Sequence, residues 1–386
     1  MSRHNHPANL SPKLLEWAVA RAGVTASDIA RSVGTSESAV TQWTAGTASP
    51  SFRQAKSMAA RLRLPFGFLF LPNPPPEELP IPDFRRIAGT TGTPSISIDL
   101  RDVVFAVMRR QEWLSEFLRD SHADTVQVVG QGKDSDSAIE VAGYIRTALN
   151  LSGRSSRPGN AEALMRDLVQ RVESLHVNVL RSGIVGNNTH RPLHLDEFRG
   201  FALSDEYAPF IFVNGVDAIQ AQAFTLIHEL AHIWRGDSGI SGNVTEASDS
   251  VEVFCNKVAA EVLVPAGEFR AVWSADIPLP DAIRLASQHF RISRYVVAIR
   301  AFESGLIDRS TLNSLLEEYR SETFRSAARS GGDFYKTLIA RNGRAFTSTV
   351  VDAVTSQRVL VRDAASLLEA KPAQLPRLGR ELSSVE

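Results

Sequence analysis

Disulfide chemistry is closed to this chain, because its 386 residues include a single cysteine, Cys255. With no intrachain bridge available, stability has to come from packed cores. That cysteine usage suits a reducing compartment, so a cytoplasmic location is expected. No apolar run reaches the roughly 20 residues a membrane-spanning helix needs, and no signal-peptide pattern opens the chain. A membrane role is therefore not expected. Excess charge of one sign is also missing: 42 Lys+Arg face 43 Asp+Glu, a formal net charge of −1. Attraction to nucleic acid would have to come from local patches. The length leaves room for two or three domains.

What is present is concentrated in Phe224-Thr-Leu-Ile-His228-Glu229-Leu-Ala-His232. Two histidines four apart lie one above the other on a helix, so both imidazoles can reach one metal ion. Glu229 points to the flank of that face, where it can polarise a metal-held water. A catalytic zinc takes three protein ligands and keeps one position open. The third is sought downstream, where residues 249–265 fit a second helix ended by Pro265. There Glu252, Asn256, Ala259 and Ala260 share a face, and the two alanines permit a close helix approach that aims Glu252 at the first helix. The resulting His₂Glu set suits zinc. Competing acids Asp237, Glu246 and Asp249 sit in a Gly/Ser-rich loop and read as solvated turn residues. Asn256 either orients a ligand or makes an ordinary helix hydrogen bond. Candidates for an oxyanion donor are Tyr207, His190 and His194, each of which also reads as a surface loop residue. Cys255 neighbours Glu252 but reads as a small buried apolar side chain.

Four segments in order, Arg199-Gly-Phe-Ala-Leu, Ala208-Pro-Phe-Ile-Phe-Val-Asn214, the His motif, and Glu252-x-x-x-Asn256-x-x-Ala259-Ala260-Glu-Val-Leu-Val-Pro265, closely resemble the ImmA/IrrE family of zinc metallopeptidases. The resemblance implies His228, His232 and Glu252 as zinc ligands and Glu229 as general base. Val264 stands where the family often has Met, a packing change. Alternation in His176–Leu180, Phe201–Leu203 and Phe210–Val213 predicts strands ahead of the motif helix. A zincin-like (gluzincin-like) α+β domain follows, in which an edge strand can hold an extended peptide by main-chain hydrogen bonds.

The N-terminus carries a second signal. Thr25–Gly34 reads as a short helix closed by glycine, and Ser36 caps another, Glu37–Trp43, ending near Gly46. A further helix follows Pro50. Residues 1–72 hold eight Lys/Arg and three Asp/Glu, a sign that suits phosphate contacts. The segment resembles the XRE-type (Cro/repressor-like) helix-turn-helix, with Thr44 standing where that family commonly has Glu. Ser36, Ser38, Thr41 and Gln42 are the side chains placed to reach bases or phosphates. The other reading is a retained docking module. His4 and His6 near the start have no evident partners.

Pro72–Pro82 cannot be helix interior and reads as an extended spacer. Pro80-Ile-Pro-Asp-Phe-Arg85 resembles the junction of proteins that fuse these two modules. An amphipathic helix is expected over Ile98–Leu118. A second helix-turn-helix-like stretch, Ala282–Arg300 with Ser293 as cap, reads as packing behind the protease. Gly331-Gly332 breaks the chain before a basic, helical end, which carries eleven Lys/Arg and seven Asp/Glu over residues 320–386.

The expected architecture is mainly α with a small β-sheet. It comprises a helix-turn-helix over 1–72, a linker over 73–98, a metallopeptidase domain over 99–310 and a helical module over 311–386. The expected function is a zinc-dependent endopeptidase fused to a DNA-binding domain. By resemblance it cleaves a repressor-type transcription factor in stress responses, with double-stranded DNA as a second partner. Monomer and dimer both stay open. The alternative is a non-catalytic DNA-binding regulator or antitoxin-like adaptor whose zinc is structural or sensory.

Overall fold

The computed structural model describes residues 7–75, 81–82, 96–133, 137–151, 159–242, 250–323 and 333–383. Most of the expected linker over 73–98, Glu246 and Asp249, His4 and His6, and Gly331-Gly332 lie outside them. Contacts divide the chain into two compact units, Met1–Pro80 with Ser95–Arg101, and Ile81–Pro94 with Asp102–Glu386. The protein is mainly α with one small mixed sheet.

The first unit is built from short capped helices. α1 (Pro12–Ala22) begins where the Ser11 hydroxyl accepts from Leu14 N–H, with proline at its first position. α2 (Ala26–Val33) opens on a reciprocal capping box between Thr25 and Asp28 and ends at Gly34, whose φ of 71° a side chain would resist. α3 (Glu37–Thr44) is capped by Ser36, and α4 (Phe52–Arg61) by Ser51 with Gln54. Leu14, Leu15, Ile29, Val40, Trp43 and Met58 close a single core.

The second unit surrounds a central helix. α5 (Ile98–Asp120), α6 (Ala138–Ala148) and α7 (Ala161–Ser174) lead into β1 (Asn178–Ser182). β1 starts two residues later than the alternation suggests, because His176 adopts a left-handed φ of 61° in the turn after α7. β2 (Gly200–Leu203) and β3 (Phe210–Asn214) follow, then α8 (Ile219–Arg235), β4 (Gly239–Ser241) and α9 (Ser250–Leu263). The sheet order is β1-β3-β2-β4. β1 runs parallel to β3, and the two β2 pairings are antiparallel. β4 was hidden within the Gly/Ser-rich stretch, since three residues are too few to show a period of two. Every residue of α8 from Gln222 to Trp234 is buried, because α7, α9 and the sheet enclose it.

α10 (Ala266–Val272), α11 (Leu279–Phe290), α12 (Arg294–Glu303) and α13 (Arg309–Thr323) complete this core, with the Ser293 hydroxyl capping α12 as expected. α14 (Phe334–Asn342), α15 (Arg344–Thr355), α16 (Val361–Leu367) and α17 (Leu375–Ser383) belong to the same unit, and α14 and α15 pack on β1. α15 has no side-chain cap of its own. Glu173, from the end of α7, supplies one by accepting the Ala345 N–H at 3.3 Å. Burial pushes the Glu173 carboxyl up to about 7 from an ordinary 4.5, against the downward pull of the Ala345 and Arg344 N–H groups.

This shift sets a pH dependence. A raised carboxyl favours the protonated form in the folded state, so its stabilising contribution is full below 4.5 and lost as pH rises through about 7. Wild type should therefore lose stability relative to Glu173→Gln between about pH 5 and about pH 8, read from urea midpoints. A constant difference across that window would remove Glu173 as the titrating cap.

Candidate metal centre

α8 places His228 and His232 one turn apart, both aimed at α9. α9 returns Glu252 between them. His228 Nε2 lies 3.3 Å from Glu252 Oε2, His232 Nε2 lies 2.9 Å from Glu252 Oε1, and the two Nε2 atoms are 3.2 Å apart. Among the described residues, these two histidines and one glutamate form a buried group able to hold a metal ion. The spacing fits zinc. Two nitrogens at 2.0–2.1 Å from a tetrahedral ion stand about 3.3 Å apart. The donor set, borderline imidazole with one carboxylate, also matches that ion.

The electrostatics are those of a desolvated, mutually dependent cluster. Burial pushes the Glu252 carboxyl up, but the two histidines beside it more than offset this and hold it well below the usual carboxylate range. Burial depresses His228, and Glu252 outweighs that to raise it. For His232 burial prevails and the ring is lowered. Asn256, one turn beyond Glu252, lies near enough to His228 to favour its protonated ring.

Glu229 is fully buried beside this group. Among the described residues no side chain makes a well-formed hydrogen bond to either of its carboxylate oxygens, and the Ser241 hydroxyl offers only a weak one. Burial pushes its carboxyl up to about 8. Room for it comes from β2: a Cβ on Gly200 would stand 2.8 Å from Glu229 Oε1, 2.6 Å from Thr225 Cγ2 and 2.9 Å from the Phe212 carbonyl. Ser241 on β4 also donates to Glu252 Oε1 at 3.3 Å. Gly200 and Ser241 were not singled out as site residues from the sequence. Neither carries metal-binding chemistry, and only the sheet brings them to α8 and α9.

Other candidates lie elsewhere. The Tyr207 ring sits under the Arg119 guanidinium at 4.8 Å, with no contact to the cluster among the described residues. His190 and His194 are exposed on the segment between β1 and β2. Asp237 pairs with Arg235 at 3.0 Å, as a turn acid would. Cys255 is buried in the core with its thiol pushed far up by burial, the behaviour of an inert filler. On α3, Ser36, Ser38, Thr41 and Gln42 are all exposed, while Val40 and Trp43 are buried. Ser36 is engaged as the helix cap, and Thr41 bonds the Glu37 carbonyl.

Residues 176–302 match the IrrE N-terminal-like domain of the peptidase M78 family. That span runs from the turn before β1 to the end of α12 and contains all four cluster residues. The match supports a metallopeptidase-type function for this part of the chain. No curated protein matches the chain. No helix among the described residues is long and apolar enough to cross a membrane.

The crowding at Gly200 predicts that Gly200→Ala costs about 1–3 kcal/mol by overpacking and displaces the Glu229 carboxylate. A lowered Tm with zinc content preserved is the expected result. An unchanged Tm and unchanged activity would show that this side of the sheet does not position Glu229.

Proposed function

We propose that this chain is a zinc-dependent endopeptidase whose target is a repressor-type regulatory protein. The observation that carries the reading is the burial of three convergent donors together with a carboxylate that no strong donor among the described residues ties down. A structural zinc site closes its fourth position with a protein ligand and has no use for such a group.

His228, His232 and Glu252 would hold the ion, which supplies a Lewis acid that acidifies water and polarises a peptide carbonyl. Glu229 accepts the proton as water attacks and delivers it to the leaving amine. Asn256 steadies the His228 ring, and Ser241 steadies Glu252. The substrate backbone is held along β4, the sheet edge. There Ile240 N–H already donates outward to a main-chain acceptor, the Pro82 carbonyl at 3.1 Å.

The α2–α3 pair is read as an XRE-type helix-turn-helix that binds double-stranded DNA. Supporting this are the exposed polar face of α3 over a buried Val40 and Trp43, and the basic balance of residues 1–72. The repressor-type target follows from the resemblance to ImmA/IrrE proteins.

Two experiments test these readings. Glu229→Gln should keep zinc, measured by metal analysis, and lose cleavage by about 10²–10⁴-fold. New protein N-termini would be compared in cells expressing wild type or variant, before and after DNA damage. Fragments generated equally by both would sink the assigned mechanism, and their absence in both would favour a zinc-bearing regulator. For DNA, Thr41→Ala with Gln42→Ala should weaken sequence-specific binding in a mobility-shift assay by about 1–3 kcal/mol per lost base contact. Undiminished affinity would move the contacts off α3.

A further inference from the structure

Apart from the metal centre, the second unit contains a cavity of about 320 Å³ lined by α5, the segment after β1, β3, α14 and the residues following α16. Its chemistry is unusual because four arginines line it, Arg109, Arg110, Arg191 and Arg341, against two carboxylates, Asp102 and Glu369. Arg191 and Asp102 neutralise each other at 2.6 Å. Of the acids lining this first cavity, Glu369 is the one left to the remaining three guanidinium groups.

Each of those three is held differently. Arg110 is 5% exposed, pairs with Glu369 Oε1 at 3.1 Å and donates from Nε to the Leu367 carbonyl at 2.9 Å. Arg341 donates to the Asn187 side-chain oxygen, an uncharged acceptor. Arg109 is exposed and has no hydrogen-bond or ion-pair partner among the described residues. Gly186 closes against Glu369 from the other side, since a Cβ there would stand 2.7 Å from Glu369 Oε2. Burial lowers the Arg110 pKa, and the like charges of Arg109 and Arg341 lower it further, against the pull of Glu369. The cavity therefore carries about two positive charges in excess, in a concavity of the size that takes a small molecule. Concentrating unpaired charge in a part-buried cleft is costly unless a counter-charge enters it.

We propose that this cavity binds a small phosphorylated molecule, its phosphoryl group received by Arg109, Arg110 and Arg341. A phosphate monoester carries about −1.5 to −2 charges near neutral pH and offers three acceptor oxygens, which matches the excess charge and the number of guanidinium groups. Guanidinium forks suit that geometry. The organic part has a place to lie: a second cavity of about 320 Å³ shares Arg109, Arg110 and Glu369 with the first and continues past Glu112 and Glu116 to Trp113, so the phosphoryl end belongs in the first cavity and the acids face the uncharged part. The Trp113 ring is already braced by Phe117 at 5.1 Å and Phe346 at 5.9 Å. The site is distinct from the metal centre and does not depend on the proposed peptidase activity.

The test uses the full chain loaded with zinc, at constant ionic strength. Calorimetric titration with inorganic phosphate, with adenosine monophosphate and with succinate separates phosphoryl recognition, a contribution from the organic part, and mere attraction of a dianion. The expected result is saturable binding of both phosphate probes at one site, tighter for the nucleotide, with succinate weaker. Arg109→Gln should reduce affinity about tenfold, the loss of one charge-assisted contact. Arg109→Glu should abolish binding. Because Arg109 is exposed and unpaired, both variants should melt as wild type does in the absence of probe. No binding of either phosphate probe at millimolar concentration, or binding unaltered in both variants, would overturn the proposal. So would succinate binding as tightly as phosphate.

Discussion

The second unit depends on one constraint: Glu252 is a charge in a desolvated core, and it has to be matched there. A buried carboxylate without partners costs several kcal/mol. Here it lies between two imidazole nitrogens, at 3.3 and 2.9 Å, with the Ser241 hydroxyl at 3.3 Å. Two nitrogens 3.2 Å apart facing one carboxylate make an arrangement that a cation completes. The close packing of α8 and α9, with Ala259 and Ala260 wholly or almost wholly buried, brings these atoms within reach of one another.

The sheet serves the same cluster. β2 runs past α8 with a glycine where any side chain would strike Glu229, and β4 contributes the hydroxyl that touches Glu252. The Phe201 ring next to Gly200 stacks flat on Phe212 at 5.0 Å, which stiffens the β2–β3 pair behind that contact. Glu229 thus has a stiffened floor and, among the described residues, no strong donor to its oxygens. These conditions raise a carboxyl's proton affinity and leave its oxygens available for chemistry.

The C-terminal helices are tied to this frame by polar contacts that reach across long sequence separations. Glu173 caps α15, and Arg110 holds the end of α16 through Leu367 and Glu369. The arginine-lined cavity is a by-product of that junction: the residues that fasten α14 and α16 to α5 and the β1 edge leave more positive than negative charge behind.

Much of the candidate site was legible in the chain because its information is local. Two histidines four apart share a helix face whatever the fold, and Glu252 with the two alanines is a one-face pattern on the next helix. The capped helices of the first unit were legible for the same reason, since Thr25, Ser36 and Ser51 satisfy N–H groups only three residues away. Three things had no local signature. β4 is too short to show alternation, and the start of β1 turned on a left-handed His176. Gly200 and Ser241 matter only because antiparallel pairing carries them to α8 and α9. The convergence of Arg109, Arg110 and Arg341 spans more than 230 positions, and no periodicity reports contacts between elements so far apart. The sequence by itself determined which side chains could bind a metal and move a proton. Only the tertiary structure decided what surrounds them, because burial, close approach and the summing of charge are properties of assembled elements.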